Sequence, residues 1–330
     1  MKPISDWTDR RRALFVAAAL ALTGASSANA AEVYPSRPIR IVVGYAAGGP
    51  NDTIARVLGQ KLTELLGQQT IVDNRPGADG VIGTDLVAKS AADGHTLALV
   101  SSSHTINPSL QPKLPYDPVR DFAPVTMAAS GPTVLVVHPS LPVKTVSDLI
   151  TLARARPGQL MYASSGTGGT LHLAGELFKS RGRIDITHVP YKGVAPATIE
   201  LLAGQVPLMF DPIVAALPHI QSGKLRALAV TSRQRSPNLP NLPTMQESGV
   251  KDFEVVIWYG ILAPAGTPPA VIERLNTQIV KIVQTADMKE RLASFGAEPI
   301  GMSATEFSAF LKTDLAKWAQ LVKANGLVSQ

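Results

Sequence analysis

Apolar and polar positions follow one another in blocks along the chain. Ile39, Ile41, Val42 and Val43 form a short dense run of the kind a buried strand shows. The next apolar positions, Ile54, Val57, Leu58, Leu62, Leu65 and Leu66, recur at helical spacing up to Gly67, a reasonable C-cap. A strand and then a helix are predicted, with the turn "YAAGGPND" between them. Further on, "QQTIVDNRPGADG" reads as a second strand and turn, "VIGTDLVAKSA" as a short helix, and "HTLALVSSSHTINPSL" as a third strand that runs into a polar loop. After the Pro-rich passage "NPSLQPKLPYDPVRDFAP", a second set of units begins at "TVLVVHP". Its helix "TVSDLITLARA" has Thr145 as N-cap, Asp148 three residues on, and Pro157-Gly158 as its stop. The segments "LMYASSGTGGTLHLAGELF", "ITHVPYKGVAPATIELLAGQVPLMFDP" and "LRALAVTS" each place a strand-like run beside a helix-like or loop-like one. An extended run, "DFEVVIWYGILAPAGTPP", leads to the closing helices. The last opens on the capping box Ser303 and Glu306 and presents Phe307, Phe310, Leu311, Leu315, Trp318 and Leu321 on one face, a core stripe. This alternation predicts an α/β fold with parallel sheets. Two sets of units joined by long extended connections predict two hinged lobes, with a ligand crevice at the carboxyl ends of the strands.

The first thirty residues break the alternation. Arg10, Arg11 and Arg12 precede an apolar stretch from Ala13 to Leu22, and Ala28-Asn29-Ala30 closes it, which is the pattern of a secretory leader cut after Ala30. That stretch is too short to span a bilayer, so a soluble, exported mature protein is expected. The arginine run fits the twin-arginine pattern loosely, and both export routes stay open. The formal net charge of +6 falls slightly once the leader is removed, the basic residues are scattered, and aromatics make up 5% of the chain. A nucleic-acid partner would ask for clustered Lys and Arg with interleaved aromatics, so none is expected. The lack of cysteine excludes disulfides and thiolate chemistry. The six histidines are dispersed without a His-x-x-x-His pair, so neither a metal nor a cofactor is expected.

Candidate chemistry lies in the turns after the strands: "YAAGGPND", "SSSHTINP", "ASSGTGGTLHL", "PYKGV" and "FDP". The first sits at a helix N-terminus, where free N–H groups and the helix dipole attract anions, and Gly48 and Gly49 let a ligand approach the backbone. A phosphate or a carboxylate fits equally well. However, Pro50 and Asn51 stand where a phosphate loop needs Lys and Ser or Thr. The plain alternative is a tight turn with Asn51 as N-cap. "SSGTGG" leads into another helix near Gly169 or Thr170, so two helix starts facing one cleft would bind an anion without arginine. A hydrolase reading has Ser164, Ser165 and His172 but no Gly-x-Ser-x-Gly elbow, and "GTGGTL" lacks the third glycine of a dinucleotide fingerprint. No enzymatic activity is therefore expected. His104 either anchors its loop or meets the ligand; Asp211 caps the following helix, meets a ligand donor or holds a water; Lys192 is solvated or serves a second carboxylate.

The ordered segments "YPSRPIRIVVGYAAGGPNDTIARVLGQKL", "VDNRPGADG", "GHTLALVSSSHTINPSL", "HVPYKGVAPA", "LLAGQV", "LPHIQSGKLRALAVTS" and "APAGTP" together resemble the Bug family, the periplasmic receptors of tripartite tricarboxylate transporters. The resemblance implies a two-lobed periplasmic-binding-protein fold of type II, a Venus flytrap with two crossover segments near Pro124 and Trp258. Lobe 1 would comprise residues 31–124 and 257–330, and lobe 2 residues 125–256. It implies a monomer that holds a small organic carboxylate mainly by main-chain amides and waters and delivers it to membrane permease subunits. A sensor kinase as partner of the closed form is the alternative. Carried over by position, the ligand-binding residues are Tyr45, Gly48, Gly49 and Asn51, with Ser102, Ser103 and His104, in one lobe. In the other they are Ser165, Gly166, Thr167, Gly169 and Thr170, with Tyr191, Lys192, Gly193 and Asp211. The chain departs from the family pattern at three places: Gly169 and Thr170 stand where Thr and Ser are frequent, Val194 where Ser or Gly is frequent, and Pro212 where Asn is frequent. Two of these changes remove polar side chains, so a less polar far end of the pocket is expected.

Overall fold

A computed structural model describes residues 34–111 and 113–324; the leader expected at 1–30 lies outside them. The described residues from Arg37 onward form one compact unit.

Strand β1 (Ile39–Val43) is buried almost throughout and is followed by helix α1 (Pro50–Leu66), β2 (Thr70–Asn74), a 3-10 turn (Ala78–Gly80), α2 (Val81–Ala88) and β3 (Thr96–Ser101). β1 pairs in parallel with β2 on one side and β3 on the other, each pair connected through a helix as in β-α-β units. α1 buries Ile54, Val57, Leu58 and Leu62 and ends at Gly67 in the left-handed conformation, while Leu65 turns out to solvent. Its N-cap is Gly49, with no side-chain cap bond; Asn51 lies within the first turn.

The segment after β3 is a helix, α3 (Ser103–Leu110), where the sequence pattern predicts a polar loop. Only Ile106 and Leu110, one turn apart, mark its apolar face, and Pro108 inside it conceals the helical period.

The 16-residue strand β4 (Phe122–Val137) joins the two halves of the molecule. From Phe122 to Pro132 it pairs with β9 (Val256–Pro264), and from Thr133 to Val137 it pairs with β7 (Leu208–Pro212) and, along part of that stretch, β8 (Arg226–Val230). The change of partner falls at Pro132–Thr133 on this strand, and β9 is entered at Val255, whose N–H donates to Thr231 O of the second half.

The second half holds α4 (Val146–Ala155), β5 (Met161–Ser164), α5 (Thr170–Gly182), β6 (Thr187–Pro190), α6 (Val194–Leu202) and α7 (Ile213–Gln221). Its parallel strands run β7-β5-β6, and the whole sheet has the order β2-β1-β3-β9-β4-β7-β5-β6. The expected box at Thr145 and Asp148 caps α4 in both directions. α8 (Pro269–Gln284), α9 (Ala286–Ser294), the two-residue β10 (Glu298–Pro299) and α10 (Ala304–Ala324) complete the first half.

Each half has its own core. Val42, Val100, Phe122, Trp258, Phe307 and Leu311 meet in the first, and Leu135, Tyr162, Phe178, Phe210, Val255 and Phe253 in the second. α10 serves both. Phe307 and Leu311 belong to the first core, whereas Trp318 and Val322, three turns on, pack with Ile106, Leu110 and Leu173 of α5. Leu315 and Leu321 are only partly buried; the inner face instead includes Asp314, 7% exposed. The fold is thus two α/β lobes bridged by extended segments, as the sequence predicts. Among the described residues, no helix is long and apolar enough to cross a membrane.

Candidate functional site

The carboxyl ends of β1, β3, β5 and β7 converge where the lobes meet. The turn after β1 brings in Tyr45, Gly48, Gly49 and Asn51. Gly48 has φ +81°, a left-handed conformation that a side chain would strain. Pro50 has no N–H, and Gly48 N donates to Asp52 Oδ2 at 2.9 Å. Burial would raise the Asp52 carboxyl, but Arg56 at 2.9 Å and the Gly48 N–H outweigh it and hold it below the ordinary range. This helix start therefore carries an internal counter-charge. The Asn51 carboxamide, 7% exposed, has its Nδ2 without a partner among the described residues.

Across the cleft, the turn "SSGTGG" is stiffened from within. Gly166 N donates to Ser164 Oγ and Gly168 N to His172 Nδ1, while Tyr191 N and Gly193 N donate to the carbonyls of Ser164 and Ser165. Ser164 Oγ also lies 2.6 Å from His188 Nε2. Ser164 is fully buried and donates to Gly166 O at 3.0 Å, and burial lowers His188 to about 3, so the pair is a structural brace. Where this turn enters α5, Thr170 N donates to Ser103 Oγ of the first lobe at 3.3 Å, and the two hydroxyls are 3.3 Å apart.

The structure gathers Tyr45, Asn51, Ser103, Ser165 and Thr170 around an inner cavity of ≈ 20 Å³, whose lining also includes Val194, Pro212 and Ile257. Gly166, Thr167, Tyr191 and Lys192 line an outer crevice of ≈ 580 Å³ at the mouth of the cleft, with Lys113 and Gln111 facing them. Lys192 is exposed. The inner cavity admits one or two waters, so a larger ligand needs the lobes to part.

Other sequence-selected residues lie elsewhere. His104 is 3% exposed, its Nε2 is 2.9 Å from Pro118 O, it stacks on Tyr116, and burial lowers it to about 4, so it anchors the following loop as a neutral imidazole. Ser102 Oγ accepts from Trp258 N at 3.4 Å, on the side of β9. Asp211 does not cap α7, whose N-cap is Pro212 without a side-chain bond. It is fully buried beneath the cavity, accepts from Thr198 Oγ1 at 3.3 Å, and is raised by burial to about 8.

Asp79 was absent from the sequence selection. It sits in the turn Gly77–Gly80, where four successive residues have positive φ, two of them not glycine. Its carboxylate reaches across the cleft to accept from Ser165 Oγ at 2.9 Å. Tyr45 OH and Asn107 Nδ2 both donate to its carbonyl, at 3.0 and 3.2 Å. Burial, opposed by the nearby Ser103 and Ser165 hydroxyls, raises its carboxyl to about 6. The available signal was an acidic residue enclosed by glycines.

Comparisons with known proteins agree with this fold. Residues 54–327 match the model of the tripartite tricarboxylate transporter family receptor. Protein BugT of Bordetella pertussis is 41% identical over 309 residues, 93% of this chain and 95% of its own. The periplasmic binding protein BugD superposes with a TM-score of 0.87 at 36% identity, covering 90% of this chain and 100% of its own. R. palustris Rpa4515 with adipate superposes at 0.86 and 38% identity, over 89% and 98%. With this cleft and these matches over nearly the whole chain, the protein belongs to the tripartite tricarboxylate transporter receptor family, the Bug-type periplasmic solute-binding proteins.

Proposed function

We propose that this chain is an exported receptor that closes its lobes on a small organic carboxylate, performs no chemistry on it, and delivers it to the membrane subunits of a tripartite transporter. The observation that carries this reading is that the starts of α1, at Asn51, and of α5, at Thr170, line one small hydroxyl-rich cavity, with Ser103 of α3 bonded to Thr170 between the lobes. A carboxylate at the α1 start meets the N–H groups of the first turn and the unpartnered Asn51 carboxamide, each charge-assisted bond worth roughly 1.5–3 kcal/mol. Thr170 and Ser165 contribute from the other lobe, so the ligand touches both and the closed form gains population. Closure bends the chain where β4 and β9 pass between the lobes. Val194, Pro212 and Ile257 favour an apolar body at the inner end. The adipate-bound relative supports a carboxylate as the ligand class.

Thermal unfolding of ligand-stripped protein against mono-, di- and tricarboxylates tests the reading. A ligand at 100 times its Kd stabilises by about 2.7 kcal/mol. A shift with one class supports a receptor; no shift with any, from folded protein, sinks it.

A further inference from the structure

The inner part of the cleft is short of positive charge, the two lysines Lys113 and Lys192 lying in the outer crevice, and the cleft holds a carboxylate of its own. Among the residues lining the inner cavity none is basic. Asp79, 4% exposed, lies between the two spaces: it lines the outer crevice itself, and Tyr45 and Ser165, which bond it, line the inner one. A ligand reaching from one space into the other passes its carboxylate.

That carboxylate is seated on the second lobe. A Cβ on Gly169, the N-cap of α5, would lie 1.6 Å from Asp79 Oδ2, and a Cβ on Gly166 would lie 3.2 Å from Asp79 Cβ. Gly169 therefore lacks a side chain where Asp79 needs the room. Ser165 satisfies Oδ1, whereas Oδ2 is buried, turned to the start of α5, and has no partner among the described residues. A buried carboxylate oxygen left in that state asks for a donor.

We propose that Asp79 fills, from the first lobe, the position at the start of α5 that a second ligand carboxylate would take, and so selects a monocarboxylate bearing an N–H donor, an ammonium or an amide, over dicarboxylates. This rests on the receptor reading above. The ligand's carboxylate lies at the α1 start beside Asn51, and its donor end meets Asp79 Oδ2. A dicarboxylate reaching Asp79 from the inner cavity would set two negative charges together where that cavity's lining offers no cation; Lys113 and Lys192, which share the outer crevice with Asp79, are exposed to solvent.

Calorimetric titration of the ligand-stripped chain with three sets of matched length tests this: dicarboxylates of four to six carbons, their monoamides, and the corresponding ω-amino acids. The wild type should bind a monoamide or an ω-amino acid at least tenfold more tightly than the dicarboxylate of equal length. Asp79→Asn should reduce that ratio at least fivefold. Gly169→Ala, which keeps the carboxylate but removes its seat, should reduce it as well, with thermal unfolding confirming that both variants are folded. A wild type that binds dicarboxylates as tightly as their monoamides overturns the proposal and leaves the receptor reading intact, as does an Asp79→Asn variant with an unchanged ratio. Binding of no carboxylate at all overturns both.

Discussion

Asp314 and Asp79 are both buried carboxylates that join distant segments, and they are held in opposite ways. At the seam of α10, α3 and β9, Asp314 Oδ2 accepts from Thr105 Oγ1 at 2.7 Å and from Trp258 Nε1 at 3.0 Å. At the cleft, Asp79 accepts one hydroxyl and leaves its other oxygen without a partner. The first arrangement fixes a fold; the second leaves a buried oxygen open at the cleft, with the Ser103 hydroxyl nearby. A buried polar group whose partners are all intramolecular points to structure, and one whose partner is missing points to a ligand.

The comparison breaks most directly at Asp314. Asp314→Ala strands two buried donors, so stability should fall by about 3 kcal/mol while the order of ligand preference stays as in the wild type. A shallow loss in a denaturant melt would mean that the seam is held by Trp258 and Phe307 packing alone.

Asp211 lies between the two cases, because Thr198 satisfies one oxygen and the other has no partner among the described residues. Its carboxyl is raised by burial, with Thr198 lowering it, and it faces the Tyr259 phenol, which it raises in turn. The folded chain therefore keeps a proton that the unfolded chain releases near pH 4, so Asp211's contribution is complete below that pH and is lost as pH rises through about 8. Asp211→Asn should match the wild type at pH 4 and exceed its Tm at pH 9 by a few degrees, about 1 kcal/mol or more. Parallel melting curves at the two pH values would contradict this.

Asp79 should show the smallest effect on stability. Burial raises it to about 6, so the same sign holds over the window from about pH 4 to 6. At pH 7 Asp79→Asn should equal or exceed the wild type by up to about 1 kcal/mol, an advantage absent at pH 4. A destabilised variant would place Asp79 with Asp314 among the structural carboxylates.

Regular periodicity made most of the fold legible. β1, α1, the capped α4 and the stripe beginning at Phe307 follow from spacing and caps that act within a few residues. α3 escaped because Ser102, Ser103 and Pro108 resemble loop chemistry, and its two apolar residues face a partner, Trp318, more than two hundred positions away. Asp314 was hidden by being charged at a position that helical spacing assigns to the buried face. Local chemistry also identified the polar turns, yet which of their donors stay free depends on contacts between lobes. Gly48 N–H is taken by Asp52, one turn into α1, whereas the oxygen of Asp79 met by Ser165 is reached across 86 residues.

The two ends of α10 have a kinetic consequence. With Phe307 in one core and Trp318 against Leu173 in the other lobe, this helix is a strap between the two lobes. On the proposed closure, each opening must part Leu173 from Trp318 and expose apolar surface worth about 2 kcal/mol, which slows release by more than tenfold. The time a captured solute dwells in the cleft is thus governed partly from a place the solute never touches.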